Sequence, residues 1–155
     1  MENLEKTKKR ALKILGNRSF SEKEMLKRLT DKGEAPEDAE ETVKWLVGLG
    51  YINDSIYASL IVRHYSAKGY GMARIRDELY KRGIPRDLWD EKLAELDETE
   101  MTDTALEFLK KKLRGSNNKD DLRRAKDTLV RRGFSYDDAA AAINRYISSL
   151  TELDD

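Results

Sequence analysis

A repeat with a period of fifty residues is the feature of this sequence that most constrains its fold. Gly33, Gly83 and Gly133 are spaced by that period, a basic residue precedes each glycine, and a leucine stands four residues before each one. Glycine after an amphipathic stretch favours the left-handed cap at the end of a helix. Self-similarity at a fixed period is typical of arrays whose units support one another. The spacing therefore predicts tandem helical units.

The positions between these glycines predict three helices in each unit. Ser21, Gly71 and Asp121 align at the start of the second helix, where all three residue types are favoured N-caps. Ser21 with Glu24 also forms the pattern of a capping box. Three sets of apolar positions align in the third helix: Ala39, Trp89 and Ala139; Val43, Leu93 and Ile143; and Leu46, Leu96 and Tyr146. We predict an all-α protein of three tandem three-helix repeats, at 1–52, 53–98 and 99–155.

Apolar spacing predicts which faces of the helices are buried. In the first repeat we expect helices over 1–18, 22–32 and 37–49, with inward residues Leu4, Ala11, Leu12, Ile14, Leu15, Trp45, Leu46 and Leu49. In the second repeat, Asp54 is the expected cap of the first helix, whose inner face is Ala58, Ile61, Val62 and Tyr65. The apolar stripe of the next helix is Ile75 and Leu79, and Pro85 begins the third helix. In the third, the first helix buries Ala105, Leu106, Phe108, Leu109 and Leu113, a longer link covers 115–119, and 151–155 is an acidic tail.

The sequence offers little for catalysis. It contains no cysteine and a single histidine, His64, which has no second histidine to complete a metal site or proton relay. Gly69 and Gly71 lack the third glycine and the preceding strand of a dinucleotide-binding fingerprint. No stretch is long enough to cross a membrane, and the absence of cysteine agrees with a reducing cytoplasm. We expect a cytoplasmic protein that is not an enzyme and has no cofactor, no metal and no membrane contact.

The net charge of the chain is zero, but its charges are segregated. Bases dominate 6–32, 63–86 and 110–132, whereas acids dominate 34–41 and 87–107. Two interpretations remain open. The alternating charges are solvated faces that pair within the molecule, or they form a basic ridge for an extended anionic partner.

The stretches 50–54, 69–79 and 81–84 together resemble the RecX family, whose members regulate the RecA recombinase in bacteria. The resemblance continues at 11–12, 18–21 and 26–29 in the first repeat and at 131–135 in the third. It differs at Ile52 and Asn53, where the family more often has Leu-Asp. The resemblance implies an elongated, curved array of three-helix repeats that lies in the groove of the RecA–single-stranded DNA filament and limits its activity. It also implies a partner made of the RecA filament and the single-stranded DNA within it.

The expected binding surface is centred on the second repeat, because its bases flank a glycine-rich turn. Its residues are Arg63, Lys68, Tyr70, Arg74, Arg76, Lys81 and Arg82, extended by Lys110, Lys111, Arg123 and Lys126. Tyr70 either stacks on a base or partner side chain or fills the gap between helices. We expect a monomer with weak direct DNA binding. The alternatives are a stand-alone DNA-binding protein that uses one unit as a helix-turn-helix, and a general helical scaffold that binds a peptide.

Overall fold

The computed structural model describes residues 2–16 and 18–152, and within this range the regular elements are all helical, as predicted. The α-helices are α1 (Glu2–Leu15), α2 (Glu22–Asp31), α3 (Pro36–Gly48), α4 (Asp54–Ala67), α5 (Met72–Lys81), α6 (Trp89–Leu93), α7 (Glu98–Leu113), α8 (Lys119–Arg131) and α9 (Tyr136–Glu152). A 3₁₀ turn, Arg86–Leu88, leads into α6.

The three glycines of the fifty-residue repeat end α2, α5 and α8 in the same way. Gly33, Gly83 and Gly133 have φ angles of +93°, +74° and +102°, in the left-handed region that glycine adopts without a steric penalty. The residue after each glycine then donates a backbone hydrogen bond to the repeated leucine. These bonds join Glu34 to Leu29, Ile84 to Leu79 and Phe134 to Leu129, at 3.1, 3.0 and 3.1 Å. All three leucines are fully buried, so the sequence repeat is a repeat of structure.

The chain forms two compact units, Met1–Leu60 with Leu79–Trp89 and Ile61–Glu78 with Asp90–Asp155. The buried core of the first unit includes Ala11, Ile14, Phe20, Met25, Leu29, Ala39, Val43, Leu46 and Ile52. That of the second includes Ala105, Leu109, Leu113, Ala125, Leu129, Ala139, Ala142, Ile143 and Tyr146. The predicted second repeat contributes residues to both units. The repeat boundaries at 1–52, 53–98 and 99–155, and the elongated, curved shape, stay predictions.

Two leucines predicted to face inward are exposed. The buried stripe of α1 is Thr7, Ala11 and Ile14, and Leu12 is rotated by about 100° from Ala11 on the helix, so 42% of its surface is exposed. Leu49 follows the last residue of α3 and is 52% exposed. The apolar pattern alone did not separate these leucines from their buried neighbours.

Two predicted N-caps are wrong. The cap of α4 is Asn53, whose side-chain oxygen accepts a 3.0 Å bond from the N–H of Ile56. The cap of α8 is Asn118, which lies before the predicted Asp121 and accepts from the N–H groups of Asp120 and Asp121. The asparagine lies one residue before the predicted aspartate at Asn53 and three residues before it at Asn118, and each helix therefore begins one turn or less earlier than predicted. The capping box of Ser21 and Glu24 is confirmed.

The third helix of the second repeat is shorter than predicted. Only α6, with five residues, follows the 3₁₀ turn, and Leu96 lies beyond it, half-buried. Asp97 caps α7 by accepting from the N–H of Thr99 at 2.8 Å, so the chain turns before α6 can extend. At the other end of the chain α9 continues to Glu152; the rest of the predicted acidic tail, 153–155, lies outside the described residues.

Candidate partner-binding surface

Tyr70, in the turn between α4 and α5, is held by the protein's own side chains. The guanidinium carbons of Arg132 and Arg74 lie 4.2 Å and 4.7 Å from the centre of its ring. The Tyr65 ring approaches edge-on, with 5.6 Å between ring centres. Two cations against one aromatic ring are each stabilising. Of the two roles considered for Tyr70, this geometry favours filling the gap between helices.

Arg132 closes this turn, and sequence reasoning did not include it among the site residues. Its guanidinium donates to the carbonyl oxygens of Gly69, at 3.1 Å, and Lys68, at 2.6 Å, and lies 4.6 Å from the centre of the Phe108 ring. The fifty-residue repeat could have indicated Arg132, because it stands fifty residues after Arg82, which belongs to the predicted binding surface. We call Lys68, Tyr70, Arg74 and Arg132 the Tyr70 cluster.

The positive charge of the Tyr70 cluster is partly used within the molecule. Nε of Arg74 lies 3.2 Å from Oε1 of Glu78, whose side chain is almost fully buried. Lys68 and, on the outer face of α5, Arg76 are exposed. The cations that a partner can reach most directly are therefore Lys68 and Arg76.

Four predicted site residues on α7 and α8 are cations on the surface of the second unit. Lys110, Lys111 and Arg123 are exposed, and Lys126 is half-buried. Lys110 lies 3.8 Å from Glu107, and Arg123 lies 3.7 Å from Asp120. The ammonium group of Lys126 lies 3.6 Å from the centre of the Tyr136 ring. Exposed ion pairs such as those of Lys110 and Arg123 contribute little to stability, so these two cations can exchange their partners for an external anion.

Arg63 lies in different surroundings. Its side chain lines a groove of about 540 Å³ in which the other charged lining residues are acidic: Glu95, Asp97, Glu100 and Asp103. A groove with one base and four acids repels an anion. The structure does not bring Arg63 together with the Tyr70 cluster into one basic surface.

Lys81 and Arg82 belong to the first compact unit. Arg82 donates a 2.9 Å bond to the hydroxyl of Tyr57, and Arg18 donates to the same hydroxyl at 3.3 Å. Lys81 is exposed. Arg82 is thus a structural cation as well as a predicted site residue.

A carboxyl pair lies at the start of α2 in the first unit. Oδ1 of Asp54 accepts a 2.9 Å bond from the backbone N–H of Glu22, and Asp54 is 7% exposed. Desolvation of the Glu22 carboxyl group, followed by the charge of Asp54 and a side-chain hydrogen bond to it, raises the pKa of Glu22 above 4.5.

The described residues show no arrangement typical of a reactive centre. No group of three or more metal-ligating side chains occurs among them. The ring of His64 is in edge contact with that of Tyr65, at 5.1 Å between centres. In the described part of the chain, no helix has both the length and the apolar character needed to span a bilayer. The arrangement is suited to binding through charge and shape.

Comparison with known proteins identifies relatives along most of the chain. Family models for the first and second three-helix domains of RecX match residues 8–46 and 53–93. The regulatory protein RecX of Xanthomonas campestris pv. campestris is 36% identical over 128 residues, covering 81% of this chain and 78% of that protein. RecX of Vibrio campbellii is 29% identical over 140 residues, covering 89% and 90%.

A solved structure has the same fold. The crystal structure of RecX from Lactobacillus salivarius matches with a TM-score of 0.80 and 23% identity, over 94% of this chain and 97% of that one.

Proposed function

The chain belongs to the RecX family of regulatory proteins, and from this we propose that it binds the RecA–single-stranded DNA filament and modulates the recombinase in DNA repair and recombination. The observation that carries the proposal is the 36% identity to a regulatory protein RecX over 81% of the chain. We further propose that the protein acts in the cytoplasm as a monomer, without a cofactor.

The charge distribution supports a partner made of protein and nucleic acid. The exposed cations Lys68 and Arg76 are available for phosphate or acidic side chains, whereas the whole chain carries no net charge. Phosphate attraction alone would draw a strongly basic protein onto bare DNA. Mixed charge lowers that competing affinity and favours a protein-coated filament.

The helix-turn-helix alternative is disfavoured for α5 and α2 by how these two helices begin. A recognition helix reads bases with the residues at its N-terminal end. In α5 that end is covered, since the N–H groups of Gly71 and Ala73 donate to the carbonyls of Arg132 and Gly133 at 2.8 and 3.1 Å. In α2 the hydroxyl of Ser21 donates to the carbonyl of Arg82.

The test adds the purified protein to preformed RecA filaments and follows DNA-dependent ATP hydrolysis. We expect the wild type to lower the rate and the double variant Lys68→Glu/Arg76→Glu to do so less effectively. These two residues are chosen because both are exposed, whereas reversing Arg74 would also break its ion pair with Glu78. Lys44→Glu, an exposed position on α3, is the control for charge, and circular dichroism monitors folding.

The outcomes separate the function from the surface. Equal inhibition by the wild type and the double variant would exclude Lys68 and Arg76 as filament contacts. A wild type that leaves ATP hydrolysis unchanged and does not bind the filament would contradict the function. Binding to neither filament nor DNA would favour the general scaffold.

A further inference from the structure

A groove in the first compact unit has five bases and no acid among its described lining residues. It lies along α1, the following turn and α2, and has a volume of about 510 Å³. Its lining residues are Arg10, Lys13, Ile14, Arg18, Phe20, Arg28 and Lys32. None of these bases belongs to the surface predicted from the sequence.

Two of the five cations are engaged with carboxylates, and these contacts also shape the groove. Nε of Arg10 lies 3.3 Å from Oε1 of Glu34, and its Nη1 donates to the carbonyl of Lys32 at 3.2 Å. Arg10 thereby ties α1 to the end of α2. Arg18 pairs with Glu24 at 3.2 Å.

The other three cations, Lys13, Arg28 and Lys32, are exposed. In the described part of the chain none of them lies within ion-pair distance of a carboxylate. Three uncompensated positive charges on the two sides of one groove repel one another. An anion in the groove would relieve that repulsion.

A purely structural explanation accounts for only part of this charge. Cations in the last turn of a helix offset its dipole, and Lys13 and Arg28 occupy the last turns of α1 and α2. This effect explains one cation at each helix end. It does not explain the additional bases, or why the described part of the lining contains no acid in a chain with equal numbers of acids and bases.

The apolar residues of the groove indicate the class of its ligand. Ile14 is 9% exposed and Phe20 is 4% exposed, and the guanidinium of Arg18 lies 3.8 Å from the centre of the Phe20 ring. An amphipathic helix or peptide needs apolar anchor sites, and base stacking needs an open aromatic face. The groove offers neither, so recognition there depends on charge.

We propose that this groove binds the phosphate backbone of a nucleic acid without reading its bases. Backbone phosphates supply closely spaced negative charges that match the cations on both sides of the groove, and guanidinium and ammonium groups are their usual ligands. The site goes beyond the proposed function, because it lies outside the Tyr70 cluster and acts without RecA.

The experiment measures fluorescence anisotropy of labelled oligonucleotides with the full chain, without RecA, over a series of salt concentrations. The probes are a mixed-sequence single strand, a single strand of different composition, and the duplex of the first. With three phosphate contacts, log K should fall with log salt at a slope of roughly −2 on the single strands. The double variant Lys13→Glu/Arg28→Glu should bind about tenfold more weakly or worse, with a slope reduced by more than half. Lys44→Glu should keep the wild-type affinity and slope.

Each further outcome decides against the proposal. No binding by the wild type at low salt, unchanged binding by the double variant, or equal weakening by Lys44→Glu would overturn it. A preference for one single-strand composition would overturn recognition by the backbone alone, and stronger competition by polyglutamate than by unlabelled oligonucleotide would indicate an acidic protein partner. If the charge-reversed variant does not fold, Lys13→Gln/Arg28→Gln provides the same comparison. The RecA filament assay is independent of this result, so the two proposals fail separately.

Discussion

The backbone N–H of Gly71 donates a 2.8 Å hydrogen bond to the carbonyl oxygen of Arg132. Fifty residues earlier the equivalent positions are Ser21 and Arg82, and there the hydroxyl of Ser21 donates to the carbonyl of Arg82. In each case the start of a second helix binds the end of the second helix one repeat later. We call this arrangement the helix-end junction; it occurs once in each compact unit.

Gly133→Ala should destabilise the protein through the helix-end junction of the second unit. A Cβ atom at position 133 would lie 2.5 Å from the backbone nitrogen of Arg74, and φ is +102°. The left-handed backbone costs about 1 kcal/mol for alanine, and the clash adds about 1–3 kcal/mol. Urea denaturation of the full chain measures the sum as a lower free energy of unfolding.

Gly33→Ala is the matched control, because it has φ of +93° but no atom within 4 Å of the added Cβ. Its free energy of unfolding should fall only by the cost of the left-handed backbone, about 1 kcal/mol. Equal losses in the two variants would show that the close approach of α5 to position 133 does not contribute to stability.

Ser21→Ala should cost more than the removal of an ordinary helix cap. Ser21 caps α2 by accepting from the N–H of Glu24 at 3.0 Å, and its hydroxyl also donates to the carbonyl of Arg82. The cap is worth about 1 kcal/mol and the second bond about 1 kcal/mol. Thermal unfolding should show the larger loss for Ser21→Ala, compared with Asn118→Ala, which removes the cap of α8. A smaller loss for Ser21→Ala would exclude a contribution from the junction.

Glu22→Gln should flatten the dependence of stability on pH above 4.5. Desolvation and the neighbouring Asp54 raise the pKa of Glu22 above that value in the folded protein. The folded state therefore holds the Glu22 proton more tightly than the unfolded chain does. The resulting contribution to the free energy of unfolding is complete below the unfolded pKa and is lost as the pH rises through the folded pKa. Glutamine has no proton to lose, so the melting temperature at neutral pH should equal or exceed that of the wild type. Glu40→Gln, at an exposed position on α3, is the control and should keep the wild-type dependence of stability on pH. If the stability of Glu22→Gln varied with pH in parallel with this control, the titration of Glu22 would not be linked to folding.

The sequence predicted those parts of the fold that depend on local chemistry. Gly33, Gly83 and Gly133 were recognisable as helix ends because a left-handed residue after an amphipathic stretch favours glycine wherever it occurs. Ser21 with Glu24 was recognisable because both partners of the capping box lie within one turn. Neither inference requires a distant residue.

The sequence did not predict features that depend on distant residues. Asn53 and Asp54 are both good caps and adjacent, and Asp54 is directed instead to the N–H of Glu22, which is 32 residues away. The role of Arg132 depends on Gly69 and Tyr70 in another repeat. The basic groove of the first unit was missed for a similar reason, since α1 and α2 each carry ordinary surface charges, and only their packing places Lys13 and Arg28 along one groove.

Arg132→Lys should destabilise the second unit although it keeps the positive charge. The planar guanidinium group lies against the rings of Tyr70 and Phe108 and donates to two carbonyls in the turn at Gly69. An ammonium group is a point charge that cannot reproduce this combination of stacking and paired donation, so we expect a loss of about 1–2 kcal/mol in the free energy of unfolding. Arg131→Lys, at the exposed neighbouring position, should be close to neutral. Because near-ultraviolet circular dichroism reports on tyrosine packing, Arg132→Lys should also change that spectrum. Equal stability of the two variants with unchanged spectra would mean that Arg132 acts only through its charge.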